Sequence, residues 1–360
     1  MKNFILNFNR ILVVAFILLV QTSCKKDPII TPTPAPTPTP PNPTPSPIFA
    51  PPDFGFKVVG YFPSYRSVSA VPDVKFRMTN VVNYAFLNVS PTGLTLANPT
   101  TFAAVVAKAK ANNAKIFISV SGLAADFKTL NTTAPQRNTF VTTIMNNVRQ
   151  YALDGVDIDW EFPSTADGSD VLYTSLMKEL SDSLHTNGKY YLTAAITPGK
   201  YAGSIRDGLN NAVFAYVDWF NVMAYDDFNT TVPYKHHSDM SLANVAFNYW
   251  ITTRGMPANK FVLGLPGYGR PSGITQVNTV LSYAGILTQG ASSLSDSAVV
   301  TSTGFATPYT IYYNGTSTIK LKAMQAKQRG NGVMIWEKGQ DTNDNTSLLK
   351  AVCDTIGRTY

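Results

Sequence analysis

From Phe56 onward, short runs of β-branched and aromatic residues alternate with longer stretches whose apolar positions recur at helical spacing. The short runs are Lys57–Phe62, Asn80–Leu87, Lys115–Ser121, Gly155–Trp160, Tyr190–Ile196, Asp218–Tyr225, Lys260–Pro266 and Gly332–Trp336. The clearest helical stretches between and after them are Thr101–Ala111, Gln136–Leu153, Asp170–Thr186, Leu242–Arg254 and Ser347–Ile356. In the third of these, Val171, Leu172, Leu176, Met177, Leu180 and Leu184 form one apolar stripe. Strands that alternate with helices pair in parallel, and eight such units in this length predict an α/β fold, a (β/α)8 TIM barrel. An open doubly wound sheet is the alternative, but it rarely needs eight evenly spaced units. The 65 residues from Gly267 to Asn331 exceed one helix. They read as a small insertion between strands 7 and 8: a helix near Ser282–Leu287, a Gly/Ser/Thr-rich loop, a strand near Tyr309–Tyr313 and a helix through Lys327.

The N-terminus follows a different pattern. Lys2 and Arg10 flank Ile11–Val20, an unbroken apolar run of ten residues. That is too short to span a bilayer and suits a signal sequence. Gln21-Thr22-Ser23-Cys24 follows and is similar to a bacterial lipobox, with Gln21 where Leu or Val is usual. Cys24 is therefore expected to carry a lipid; an ordinary signal peptide with a coincidental cysteine is the alternative. Nine of the seventeen residues from Thr31 to Pro47 are proline. Such a segment favours extended polyproline II and makes no core. At roughly 3.1 Å per residue the linker reaches about 75 Å. The chain thus divides into a leader (1–23), an anchor cysteine with a Pro/Thr-rich linker (24–52) and a catalytic barrel (53–360). The expected location is exported and lipid-anchored to a bacterial membrane, at the outer membrane or cell surface.

The charge of +7 changes little. Without Lys2, Arg10, Lys25, Lys26 and Asp27 there remain 25 basic and 21 acidic residues, with no Lys/Arg run. A nucleic-acid stripe is unsupported, and an uncharged partner fits better. Cys353, the second of two cysteines, reads as a core residue without a disulfide.

The chemistry concentrates in Asp154-Gly155-Val156-Asp157-Ile158-Asp159-Trp160-Glu161. Strand alternation puts Asp157, Asp159 and Glu161 on one face and Val156, Ile158 and Trp160 on the other. In a barrel the carboxylates then line the axis and rise to the C-terminal mouth, where barrel enzymes hold their active sites. Crowded, partly buried carboxylates keep one group protonated near neutral pH, as a general acid requires. A solvated edge strand or a cation site is the other reading. The apolar opposite face argues against the first. For the second, a cation such as calcium would want carbonyl-bearing loop ligands in addition.

Asp154 to Glu161 reproduces the D-G-x-D-x-D-x-E signature, and the chain resembles family 18 glycoside hydrolases of the bacterial chitinase type. The likeness runs over roughly 56–356 through Gly60-Tyr61, Tyr84-Ala85-Phe86, Phe162-Pro163, Met223-Ala224-Tyr225-Asp226, Leu263–Arg270 and Gly332–Trp336. It implies retaining hydrolysis of β-1,4 linkages between N-acetylglucosamine units in chitin or its oligosaccharides, with the substrate's own acetamido group as nucleophile. By the same resemblance Glu161 is acid and then base, and Asp159 takes the acetamide N–H. Asp157 shares a proton with Asp159, the pair titrating as a unit. Tyr225 aims the acetamide oxygen, Trp336 floors the sugar, and Tyr61, Phe86, Ser119, Met223, Asp226, Tyr268 and Arg270 line the cleft. No cofactor and no metal are implied, and a monomer is expected.

Two departures stand out. The third-strand S-x-G-G appears as Ser119-Val120-Ser121-Gly122, so Ser121 replaces a glycine and is expected to crowd that loop. Leu123-Ala124 follows where tryptophan is often found. The insertion is also smaller than the wall module of many processive relatives, which predicts a shallower cleft. His236-His237 read as loop-surface residues rather than a metal site, and His185 as a residue near a helix C-terminus. The glycines of Gly264–Gly269 lack the helix that a dinucleotide loop needs. The Asn131 and Asn229 sequons are taken as coincidental. Rival functions are a sugar-binding lectin, which usually lacks the terminal glutamate, an endo-β-N-acetylglucosaminidase on N-glycans, and a peptidoglycan glucosaminidase.

Overall fold

The computed structural model describes residues 49–360 apart from 187, 274–279 and 304. The leader, Cys24 and most of the Pro/Thr segment lie outside the described residues. Eight parallel strands close a barrel: β1 (Lys57–Pro63), β2 (Val81–Ser90), β4 (Lys115–Leu123), β5 (Gly155–Glu161), β6 (Tyr191–Ile196), β7 (Trp219–Val222), β8 (Phe261–Pro266) and β13 (Gly332–Trp336), the last pairing back onto β1. A short β3 (Gly93–Leu96) adds an antiparallel edge to β2. Each of the eight expected runs forms one barrel strand.

Strand alternation sorts the side chains into two cores. The outward set, with Val156, Ile158 and Trp160 on β5, packs under the surrounding helices; Trp160 stacks on Phe127 with centroids 4.8 Å apart. Helix Ala134–Gln150 illustrates why these helices form. Thr133 and Gln136 make a reciprocal capping box. Phe140, Val141, Ile144, Met145 and Val148 then face the core. The inward set fills the barrel in layers. At the N-terminal end Phe117, Tyr191 and Trp219 pack together, and Phe54 covers them from below. Here the last residues assigned to the linker dock as well. The Phe49 N–H donates to His185 O at 3.0 Å, and the Tyr191 hydroxyl to Pro52 O at 2.8 Å.

The structure departs from expectation in four places. First, β7 ends at Val222 rather than Tyr225, because the chain turns sharply there. The Ala224 N–H donates to Val222 O and the Tyr225 N–H to Met223 O; such two-residue closures cannot coexist with a ladder. Second, the stretch expected as one helix over Leu242–Arg254 is an α-helix, Met240–Phe247, continued by a wider π turn over Asn248–Thr253. Third, the insertion carries more strands than the single one expected near Tyr309–Tyr313. It carries β9 (Tyr268–Pro271), β10 (Leu281–Ser282), β11 (Ser297–Val300) and β12 (Tyr309–Tyr312) in an antiparallel sheet of order β10-β9-β12-β11, with helices Tyr283–Leu287 and Thr316–Arg329. Its strands are too short to show a period. Fourth, Val171 at the start of helix Ser169–Leu184 is exposed, and Tyr173 is buried there instead.

Candidate active site

Along β5 the inward face carries Asp157, Asp159 and Glu161, from mid-barrel to mouth. Asp157 is fully buried, and all four of its acceptor sites are filled. Oδ2 accepts from Tyr61 (2.6 Å) and Ser119 (2.8 Å), and Oδ1 from Thr193 (2.6 Å) and Asn221 (3.0 Å). Burial raises its affinity for a proton, and the four donors oppose that rise. The resemblance pairs Asp157 with Asp159 over one proton; Ser121 stands beside Asp159 across the β4–β5 pair, and the charges of Glu161 and Asp157 both act on it. Asp157 has no acceptor site left to offer without displacing a donor. Asp159 is 6% exposed, and no protein group donates to its Oδ1 among the described residues. Burial, then the charges of Glu161 and Asp157, hold its carboxyl well above the ordinary carboxylate range. Glu161 reaches the open end of the cleft. Desolvation by the surrounding walls, with the charge of Asp226, still raises it, and its hydrogen bond with Asp159 works the other way. One proton thus belongs to the Asp159–Glu161 pair.

The turn after β7 delivers the next two groups. Asp226 adopts a left-handed φ of 62°, which Asp tolerates better than most residues. Tyr225 folds back over β8, where only glycine leaves room. A Cβ on Gly264 would lie 2.9 Å from the Tyr225 ring and 2.5 Å from Val222 O. The Tyr225 hydroxyl meets the Met334 sulfur at 3.9 Å, a weak partner. Burial first, and then the Asp159 charge, keep the phenol protonated. Asp226 accepts from the Tyr268 hydroxyl at 2.6 Å and from Arg270 Nε at 2.8 Å. Burial pushes it up, but the adjacent His237 ring, the Tyr268 hydrogen bond and the Arg270 charge bring it to about 2. It stays an anion beside Glu161.

The expectation that His236 and His237 are surface residues is overturned. His237 is fully buried, and its Nδ1 accepts from the Asp226 N–H at 3.3 Å. His236 stacks on it at 5.5 Å and bonds Tyr313 O. Burial lowers both, so the pair is neutral near pH 7, His236 to about 4. The reason is β12, which brings Tyr313 and Asn314 over the loop. Among the described residues no group of three or more His, Cys, Asp or Glu side chains is arranged to hold a metal. Cys353 is a free, buried thiol. His185 caps its helix, between Ser181 and Asp218.

Two cavities meet at Glu161. The inner one, about 250 Å³, is lined by Tyr61, Phe86, Ser121, Asp159, Glu161, Ala195, Met223, Tyr225, Asp226, Tyr268 and Trp336. The outer one, about 540 Å³, shares Glu161, Met223, Tyr225 and Asp226, and adds Phe162, Lys200, Tyr201, Ile205, Arg206 and Asp227. Phe86 is skipped in the β2–β4 ladder, a bulge that turns it onto Trp336 with ring centroids 5.8 Å apart. Of the predicted residues, Ser119 lies beneath the cavity on Asp157, and Arg270 grips Asp226 from outside. Ser121 does not crowd its loop. The close approach falls on Gly122, whose Cβ would lie 2.5 Å from Val89 O. The sequence reading missed Thr193, Asn221, His237 and the Lys200–Asp227–Lys235 ion pairs. The first two carry a usable signal, a polar residue at an inward position of a buried strand.

A closed barrel whose carboxylate strand ends in an aromatic-walled, sugar-sized cavity belongs among the barrel glycosidases. Residues 57–341 match the model of glycosyl hydrolases family 18; the chain belongs to that family and is a glycoside hydrolase. It is similar to a class V chitinase of Arabidopsis thaliana, 29% identical over 276 residues, covering 66% of this chain and 72% of that one. To the probable chitinase 10 of Drosophila melanogaster it is 29% identical over 256 residues, 60% of this chain but only 11% of that protein. Among solved structures, the family 18 chitinase ChiB from the chitin utilization locus of Flavobacterium johnsoniae superposes with a TM-score of 0.68 at 27% identity, over 84% of this chain and 94% of that one.

Proposed function

We propose that the protein hydrolyses β-1,4 linkages between N-acetylglucosamine units of chitin or chitooligosaccharides, with retention and with the substrate's acetamido oxygen as nucleophile. The observation that carries this reading is the buried Asp159 Oδ1, without a protein donor in a cavity that also holds Glu161 and the Tyr225 hydroxyl. An acetamide N–H supplies the donor that this oxygen lacks, and the phenol donates to the acetamide carbonyl. In the inner cavity the sugar lies against Trp336 and Phe86. The proton of the Asp159–Glu161 pair moves to the glycosidic oxygen from Glu161, and the leaving chain departs through the outer cavity. Glu161 then accepts a proton from the water that opens the oxazolinium-like intermediate. Asp226, an anion held by Tyr268 and Arg270, keeps Glu161 protonated until it acts. The same proposal places the enzyme outside the cell membrane, lipid-anchored through Cys24 and held off the surface by its Pro/Thr tether.

The test is the composition of products from partially acetylated chains. A deacetylated sugar offers only an amine, which cannot close the five-membered ring. New reducing ends should therefore be N-acetylglucosamine alone, released as the β-anomer. Glucosamine there in comparable amounts overturns the mechanism. Faster turnover of a high-mannose glycopeptide or of peptidoglycan than of chitin oligomers overturns the substrate.

A further inference from the structure

Ser121 stands where the family pattern has glycine, and we infer that its hydroxyl is a positioning group that holds Asp159 toward Glu161 and the substrate. This rests on the roles proposed above for Asp159 and Glu161. Ser121 and Asp159 are direct partners across the parallel β4–β5 pair, so their side chains leave the sheet on the same inward face, side by side. Both line the inner cavity, which sets the Ser121 hydroxyl beside the Asp159 carboxyl, where a donor favours the ionised form. The steric demand of this loop is met elsewhere, by Gly122 against Val89 O. A side chain at 121 is therefore tolerated, and the one present is a donor. Asp157 cannot do the same work, because its oxygens are occupied by Tyr61, Ser119, Thr193 and Asn221.

The groups that act on Asp159 are Asp157 and Glu161 on its own strand, Ser121 on β4, Tyr61 on β1, Tyr225 after β7 and Tyr173 from the helix behind. Charge repulsion within the strand drives a proton onto Asp159. The Ser121 hydroxyl works against it, favouring the carboxylate and so leaving the proton on Glu161, where it is useful. Without that donor Asp159 retains its proton to higher pH, and the productive arrangement becomes rarer at every pH.

The experiment measures kcat and kcat/KM of the full-length enzyme against pH on N-acetylglucosamine oligomers for Ser121→Ala, Ser121→Gly and Ser121→Thr, with Glu161→Gln as the control. Losing a hydrogen bond to a charged group should lower kcat about 10-fold or more in the Ala and Gly variants. Their acid limb should move to higher pH, and Thr, which keeps the hydroxyl, should restore both. Ser121→Gly adds no volume, so it remains informative if Ser121→Ala folds poorly. The inference is overturned if the Ala and Gly variants keep the wild-type rate and limbs, or if Thr is impaired equally with an unmoved pH profile. Activity retained in Glu161→Gln instead overturns the site assignment beneath it, whatever Ser121 does.

Discussion

Three carboxyl groups on one face of one strand behave differently because their neighbours differ. Asp157 has four donors, Asp159 has a serine and a glutamate, and Glu161 has a half-open cleft with an anion nearby. For Glu161 this yields two separable expectations. Glu161→Gln keeps the shape but removes the proton, so turnover should fall about 10²- to 10⁴-fold. Its stability should move in the other direction. The folded protein holds the Glu161 proton more tightly than the unfolded chain, whose value is near 4.5. The ionised group therefore costs stability once the pH rises above that value, and the cost levels off above the folded-state pKa. The melting temperature of Glu161→Gln should match wild type in acid and exceed it near pH 7. Equal melting temperatures at both pH values would mean that Glu161 sits in a water-like environment.

At the scale of elements, the site is assembled where strands stop being regular. The bulge in β2 exposes Phe86, the early end of β7 frees Tyr225 and Asp226, and the segment after β5 turns at Phe162-Pro163. That last turn is braced by the loop after β6. A Cβ on Gly208 would lie 2.2 Å from the Pro163 carbonyl oxygen, although its φ of −68° suits any residue. Gly208→Ala should therefore act by overpacking alone, costing about 1–3 kcal/mol and pushing Pro163 and its neighbour Phe162. Since Phe162 follows Glu161 directly, kcat should fall along with stability in denaturant titration. A stable variant with wild-type kcat would show that the loop yields freely.

On the scale of the whole molecule, the barrel separates its two ends. The N-terminal end is sealed by Phe54 over Tyr191 and Trp219, where the described chain begins, and the cleft opens at the other. If Cys24 carries the proposed anchor, the catalytic residues should not depend on it. Cys24→Ala should move the enzyme from a detergent-dependent fraction to a soluble one with unchanged specific activity on soluble oligomers. A wild-type protein that is already soluble without detergent contradicts the anchor, and loss of activity on release contradicts the independence of the two ends.

The sequence by itself determined the eight barrel strands, their order, the parallel closure and the face that bears Asp157, Asp159 and Glu161. Each of these follows from local periodicity, which survives in a linear string. Asp226, Tyr225, Tyr268 and Trp336 were legible as well, but only through resemblance of motifs, since nothing in their spacing says that they meet. The partners of each acid were decided by the tertiary structure. Thr193 and Asn221 reach Asp157 from two other strands, and His237 is buried because β12 closes over it. Asp157 is saturated by donors from four strands, whereas Asp159, one pleat higher on the same face, is left with an oxygen that no described protein group donates to. Which proton a carboxylate holds depends on distances across the barrel, and no pattern along the chain encodes those distances.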